Sequence, residues 1–154
     1  LGFSKLSQTG RVGRKTEVDM RALTNALIGK YKELAEAQGQ HISVTGEGQM
    51  RGNEAMLRQM IDNLLQNAIL HGEEDGQIEI NIGNGTYQIR NTYTGTLTTE
   101  DAKKLLKPYA KEEDRKRTGG HGLGLSIVKE IVKLHRGKLE LNVEYAVFEV
   151  SVRL

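Results

Sequence analysis

From Asn53 to His71 the apolar residues Met56, Leu57, Met60, Ile61, Leu64, Leu65 and Ala68 return every three or four positions, which predicts a helix with one buried stripe. Beside that stripe Gln59, Asn63, Asn67 and His71 follow at steps of four and form a polar line along the same helix. A second helix is predicted from Asp19, its N-cap, with Leu23, Leu27, Tyr31 and Leu34 on one face and an end near Gly39. A third begins at the glycines before Leu125, where Ile127, Val128, Ile131 and Val132 keep helical spacing to about His135. A shorter one spans Thr99 to Lys107, just before the only proline, Pro108. Strands are predicted at Thr16–Asp19 and His41–Thr45, in a hairpin of Gln77–Ile82 with Tyr87–Asn91 around Asn84–Gly85, and in a second hairpin of Lys138–Val143 with Ala146–Leu154. Three longer helices on one face of about five strands make an α/β protein, a two-layer sandwich with a mixed sheet.

The polar line is where chemistry enters. Asn in a helix interior competes with the backbone for hydrogen bonds and costs propensity, so two of them four residues apart need a reason. One is a solvated helix face. The other is a nucleotide site, because a carboxamide oxygen is a neutral hard ligand for Mg²⁺, which takes its remaining ligands from water and substrate phosphates. His71 at the end of the line either caps the helix C-terminus, where the dipole favours a cation, or reaches a phosphate. A second feature favours the nucleotide. Gly120, Gly122 and Gly124 alternate directly before a helix, and glycines there allow close backbone approach of a phosphate to free N–H groups. A flexible helix cap would not need three. The loop lacks the GK[ST] ending of a P-loop. It follows Lys111–Arg117, charged at every position, rather than the buried strand that a dinucleotide fingerprint requires.

With these residues in place a family resemblance becomes visible. NLLQNA at Asn63–Ala68, IRNTYTG at Ile89–Gly95 and GGHGLGLSIVKEIVKLHRGKL at Gly119–Leu139 resemble the N box and the two glycine boxes of the sensor histidine kinase ATPase domain, in the superfamily of gyrase, Hsp90 and MutL. The resemblance covers roughly residues 17 to 154. It implies a Bergerat-type ATP-binding fold over 16–154, with 1–15 the remnant of a dimerisation helix or linker. It also implies ATP and Mg²⁺ as cofactors, with Asn67 as the metal ligand and Asn63 supporting the same catalytic site. Gly120, His121, Gly122, Leu123 and Gly124 would line the phosphates. Asn91 stands where the family usually has an Asp that accepts from the adenine amine, Gly95 matches the final glycine of that box, and Tyr93 replaces its middle glycine. Leu106 and Tyr109 occupy the positions of two lid-docking aromatics, of which only Tyr109 is aromatic. Between Thr92 and Gly120 an ATP lid is expected, whose Lys111, Arg115, Lys116 and Arg117 either contact the terminal phosphates or stay solvated.

Two departures change the expected affinity. An Asn at position 91 still accepts the adenine amine, without charge assistance, and its amide can turn to donate to a carbonyl, so guanine should be better tolerated. Leu70 replaces a Lys that many relatives direct toward the phosphates, leaving His71 or a lid Arg to compensate. Binding is therefore expected at about tens to hundreds of micromolar.

Composition bounds the rest. The 154 residues suit one domain, and 22 basic against 20 acidic residues give a net charge of +2, so no global field points to nucleic acid or an anionic membrane. With no cysteine, disulfide, thiol and Cys-zinc chemistry are excluded. The chain begins at Leu1 rather than Met and is expected to be part of a longer protein. By resemblance that parent is a membrane-bound homodimer joined through upstream helices, with this domain cytoplasmic and monomeric by itself. Its partners would be the phosphoacceptor-histidine dimerisation domain and a response regulator. Three functions follow: the catalytic domain of a two-component histidine kinase, a serine kinase of the anti-sigma-factor type, or a degenerate nucleotide-sensing module without phosphotransfer. The stretch before Arg11 speaks against the second. Leu70, Asn91, Tyr93 and Leu106 support the third, against which stand the intact Asn pair and the glycine loop.

Overall fold

The computed structural model of the chain describes residues 12–93, 98–104, 106 and 124–154. In chain order the elements are β1 (Thr16–Asp19), α1 (Met20–Ala37), β2 (His41–Gly46), β3 (Gln49–Gly52), α2 (Glu54–His71), β4 (Gln77–Gly83), β5 (Thr86–Thr92), α3 (Thr99–Lys104), α4 (Gly124–Leu134), β6 (Lys138–Glu144) and β7 (Val147–Arg153). Five strands form the main sheet in the order β2-β4-β5-β7-β6, while β1 and β3 pair as a separate two-stranded sheet. Only β2 and β4 run parallel within the main sheet. A parallel pair needs a long crossover, and here β3 and α2 supply it, which lays α2 over the sheet.

Register explains the burial. Val44, Ile80, Ile89, Val150 and Leu141 are successive cross-strand partners, and Ile42, Ile78, Asn91, Phe148 and Val143 form the next row. These rows lie on the core face, with Ile78, Ile80, Ile89, Phe148 and Val150 all buried. Side chains alternate across a strand, so the opposite face is polar. There Asn81 donates to Gln88 (3.2 Å) and Gln88 to Ser151 (3.3 Å). Helices α1, α2 and α4 cover the apolar side, making a two-layer α/β sandwich.

Both long helices start as expected. Asp19 accepts from the Ala22 N–H at 3.0 Å, and Asn53 from the Met56 N–H at 3.0 Å. Leu34 differs from its predicted place: it is 42 % exposed, and Ala35 takes the buried position. The face Leu23, Leu27, Tyr31 continues by another step of four, which lands on residue 35 and turns Leu34 outward. Strand β3 has no counterpart in the sequence expectation. Met50 is the single apolar residue within it, yet it is 1 % exposed and pairs with Val18.

A buried polar pair fastens α1 to the sheet. The Thr24 hydroxyl lies 2.7 Å from the Met20 carbonyl and 2.8 Å from the Tyr87 hydroxyl. Burial also pushes the Tyr87 phenol well above its ordinary pKa.

Candidate functional site

Helix α2 carries the polar line, and its packing fixes where that line points. It packs against α1, α4 and β5. At its N-terminus Asn53 is held from three sides: its side chain caps Met56, its Nδ2 donates to the Val12 carbonyl (2.8 Å), and its backbone N–H donates to His135 Nε2 (3.1 Å). His135 lies just beyond α4, and its other nitrogen, Nδ1, donates to the Ile131 carbonyl at 2.7 Å. That pair of bonds requires the neutral imidazole. Burial lowers the His135 pKa, the bond to Ile131 opposes the shift, and nearby Lys15 adds to it. Gly52 gives the ring room, since a Cβ there would lie 2.7 Å from Nε2. One histidine thus joins the start of α2 to the end of α4.

The solvated-face reading of the polar line does not hold for its centre. Asn63 is 9 % exposed and Asn67 7 %. Gln59 and His71, at the two ends, are half-buried. The Asn63 Nδ2 is buried and has no hydrogen-bond partner among the described residues. An unpaired buried amide donor costs about 1–3 kcal/mol, so this one stands ready for an acceptor from outside the protein.

The C-terminal end of α2 is bound to the end of β5. Glu73 N–H donates to the Thr92 carbonyl (3.0 Å), and Gln77 N–H to the Thr92 hydroxyl (3.0 Å). Gly76 is required there, because a Cβ would fall 2.1 Å from Thr92 Oγ1. His71 and Asn91 are brought to the same corner by these bonds. Asn91 is 3 % exposed on the helix-covered face, between Ile78 and Phe148 in register. Its Nδ2 donates to the Thr92 carbonyl at 3.1 Å, which presents Oδ1 as an acceptor. Turning the amide toward a carbonyl-bearing base would give up that bond, a cost that the sequence alone does not disclose.

Gly124 opens α4, and a Cβ there would meet nothing within 4 Å, so packing among the described residues does not require glycine at that position. Gly95, Tyr109, Gly120, His121, Gly122, Leu123 and the four basic lid residues lie outside the described residues. Leu106 is half-buried and packs against the core, while Leu70 is 37 % exposed. His41 is exposed and His135 is structural. No group of three His, Asp or Glu side chains among the described residues is arranged to hold a metal ion. A lone carboxamide such as Asn67 fits a Mg²⁺ that arrives with phosphates already attached. Sequence reasoning did not find the Glu73–Thr92 and Asn53–His135 links, since both depend on backbone groups. A cleft of about 540 Å³ on the polar face of the sheet, lined by Asn81, Gln88, Lys138 and Arg153 among others, contains none of the residues named for the site.

Comparison with known proteins bears on the family and the fold. Residues 52–154 match the model of the histidine kinase-, DNA gyrase B- and HSP90-like ATPases. The chain is 32 % identical over 145 residues to the probable sensor protein PcoS of Escherichia coli, covering 91 % of this chain and 31 % of that protein. It is 28 % identical over 147 residues to the phosphate regulon sensor protein PhoR of Pseudomonas aeruginosa, covering 91 % and 33 %. It therefore spans about a third of the length of these curated relatives. Among solved structures, a catalytic domain of histidine kinase ThkA superposes with a TM-score of 0.72 at 22 % identity, covering 91 % of this chain and 95 % of that one. The mycobacterial sensor histidine kinase MprB gives 0.73 at 20 %, covering 92 % and 97 %. At such identities these two likenesses bear on the fold alone.

Proposed function

The chain belongs to the histidine kinase-, DNA gyrase B- and HSP90-like ATPases, and from that premise we propose that it is the ATP-binding catalytic domain of a two-component sensor histidine kinase. It binds Mg-ATP and presents the γ-phosphate to a histidine on a dimerisation domain. The observation that carries this reading is the pair of buried carboxamides on α2, one with an unpartnered Nδ2. Asn67 would hold Mg²⁺ through its side-chain oxygen, and Asn63 would donate its free amide hydrogen toward a phosphate. When bound, Mg²⁺ neutralises charge on the phosphates. The protein's own contribution is positioning: the end of α2 is tied to the end of β5 by the bonds at Thr92, and α2 is held against α4 by packing along their length and by the His135 bond at the end of α4. Asn91 Oδ1 accepts from the adenine amine, and His71 approaches the same corner. Gly95, Tyr109 and the loop Gly120, His121, Gly122, Leu123 and Gly124 complete the nucleotide contacts in this proposal.

The parent would be a membrane-bound homodimer with this domain on the cytoplasmic side, and its downstream partner a response regulator. Exposed Leu70 in place of a phosphate-directed lysine is the observation that keeps the degenerate-module reading in play. Phosphotransfer decides between them. Incubated with γ-labelled ATP and the histidine-bearing dimerisation domain of the parent, the chain should produce an acid-labile, base-stable phosphohistidine. A folded, nucleotide-bound chain that transfers no label identifies a binding module instead.

A further inference from the structure

At the end of α2 the Glu73 N–H faces a choice of acceptor. In a continuing helix it would bond the Ile69 carbonyl, four residues back. Instead it donates to the Thr92 carbonyl at the end of β5, at 3.0 Å. The helix closes with the Gly72 N–H on the Ala68 carbonyl, so the carbonyl of fully buried Ile69 loses its backbone donor.

A side chain from another part of the fold takes that place. Gln40, between α1 and β2 and 6 % exposed, donates from Nε2 to the Ile69 carbonyl at 2.9 Å. Weaker contacts of the same Nε2 reach the Gln38 Oε1 at 3.4 Å and the Glu73 carbonyl at 3.5 Å. The Gln40 main chain is itself fixed, its N–H donating to the Ala35 carbonyl of α1 at 3.0 Å. Gly72 leaves the amide room, since a Cβ there would lie 3.0 Å from Nε2. Only the donor half of this amide is used. Its Oε1 is buried without a hydrogen-bond partner among the described residues, a cost that an apolar side chain of similar length would avoid.

The freed Glu73 N–H arrives at an informative acceptor. The Thr92 carbonyl takes two donors, Glu73 N–H and Asn91 Nδ2, the second at 3.1 Å. The carbonyl that turns the Asn91 amide is thus held by the end of the helix that carries Asn67. We propose that Gln40 is a positioning residue of the nucleotide site: by satisfying Ile69 it releases Glu73 to Thr92, which fixes the Asn91 amide and its spacing from Asn67. It needs no contact with the nucleotide. This inference rests on the nucleotide-binding reading above and adds a determinant of base selectivity to it.

Competition titrations with Mg-ATP and Mg-GTP test it in the wild type, Gln40→Met and Gln40→Leu. Both variants lack the donor and the unpartnered oxygen alike. A ratio of affinities does not depend on the fraction of chain folded, so it separates positioning from a loss of stability. The wild type should prefer ATP about tenfold and each variant about twofold or less. In labelled protein, the scalar coupling across the hydrogen bond from Glu73 nitrogen to Thr92 carbonyl carbon should be present in the wild type and absent from the variants. A folded variant that keeps the wild-type preference, or loses it with that coupling intact, overturns the positioning role while Asn67-dependent binding stands. A wild type that binds both nucleotides equally removes the Asn91 contact and this role with it, and a folded wild type that binds neither overturns the underlying reading as well. If neither variant folds, the wild-type couplings decide, and the absence of the one from Glu73 to Thr92 or of the one from Gln40 Nε2 to Ile69 sinks the proposal.

Discussion

His135→Ala tests how α2 is held, because the imidazole accepts from Asn53 N–H at 3.1 Å and donates to the Ile131 carbonyl at 2.7 Å. Each bond contributes about 1 kcal/mol net, and the Asn53 N–H left behind is partly buried, so the loss should be about 2–3 kcal/mol near pH 8. For a chain of 154 residues that lowers Tm by about 4–12 °C. The proton adds a second signature. Burial lowers the folded-state pKa of His135 below its ordinary 6.5, so between the two values the unfolded chain binds more protons. The stabilisation by the neutral ring is therefore complete above about pH 6.5 and declines as pH falls toward the folded-state pKa. Urea unfolding followed by far-ultraviolet circular dichroism, at pH 8 and at pH 5.5, measures both effects. The gap between wild type and His135→Ala should narrow on acidification. A gap that keeps its size at pH 5.5, or one below about 0.5 kcal/mol at pH 8, would refute the reasoning.

Three further substitutions address the packing and the base. Tyr87→Phe leaves the Thr24 hydroxyl its bond to Met20, while Thr24→Val strands the buried Tyr87 hydroxyl. Thr24→Val should therefore cost about 2 kcal/mol against about 1 for Tyr87→Phe, with the double variant below the sum in urea unfolding. Because Asn91 Nδ2 is engaged by Thr92, the free Oδ1 should favour ATP over GTP by about tenfold in competition binding. Asn91→Ala should remove that preference, and equal wild-type affinities would mean that the amide turns after all.

The elements most legible in the sequence were those whose pattern is local. The α2 stripe, the Asp19 cap and both hairpins depend on spacing and turn chemistry, and the structure reproduces them within a residue or two. Strand β3 escaped because glycines surround one Met, and only pairing with β1 makes it a strand. Leu34 escaped because three-residue and four-residue steps are alternatives that the helix phase decides. At the site, types and spacing pointed to Asn63 and Asn67 and the family resemblance to Asn91, but their burial, and the free Asn63 Nδ2 among the described residues, belong to tertiary structure. The Asn91 amide is oriented by a backbone carbonyl, and backbone groups are the same in every sequence. His135 shows the same limit, since nothing local to it mentions Asn53, 82 positions away.

The central claim is that buried Asn67 makes nucleotide binding depend on Mg²⁺, and calorimetric titration of the chain with a non-hydrolysable ATP analogue tests it most directly. With Mg²⁺ the wild type should bind at about tens to hundreds of micromolar, with binding much weaker when Mg²⁺ is chelated. Asn67→Ala should lose that binding while keeping the wild-type circular dichroism spectrum. Binding that ignores both Mg²⁺ and Asn67, or none at millimolar nucleotide in a folded sample, would contradict the account.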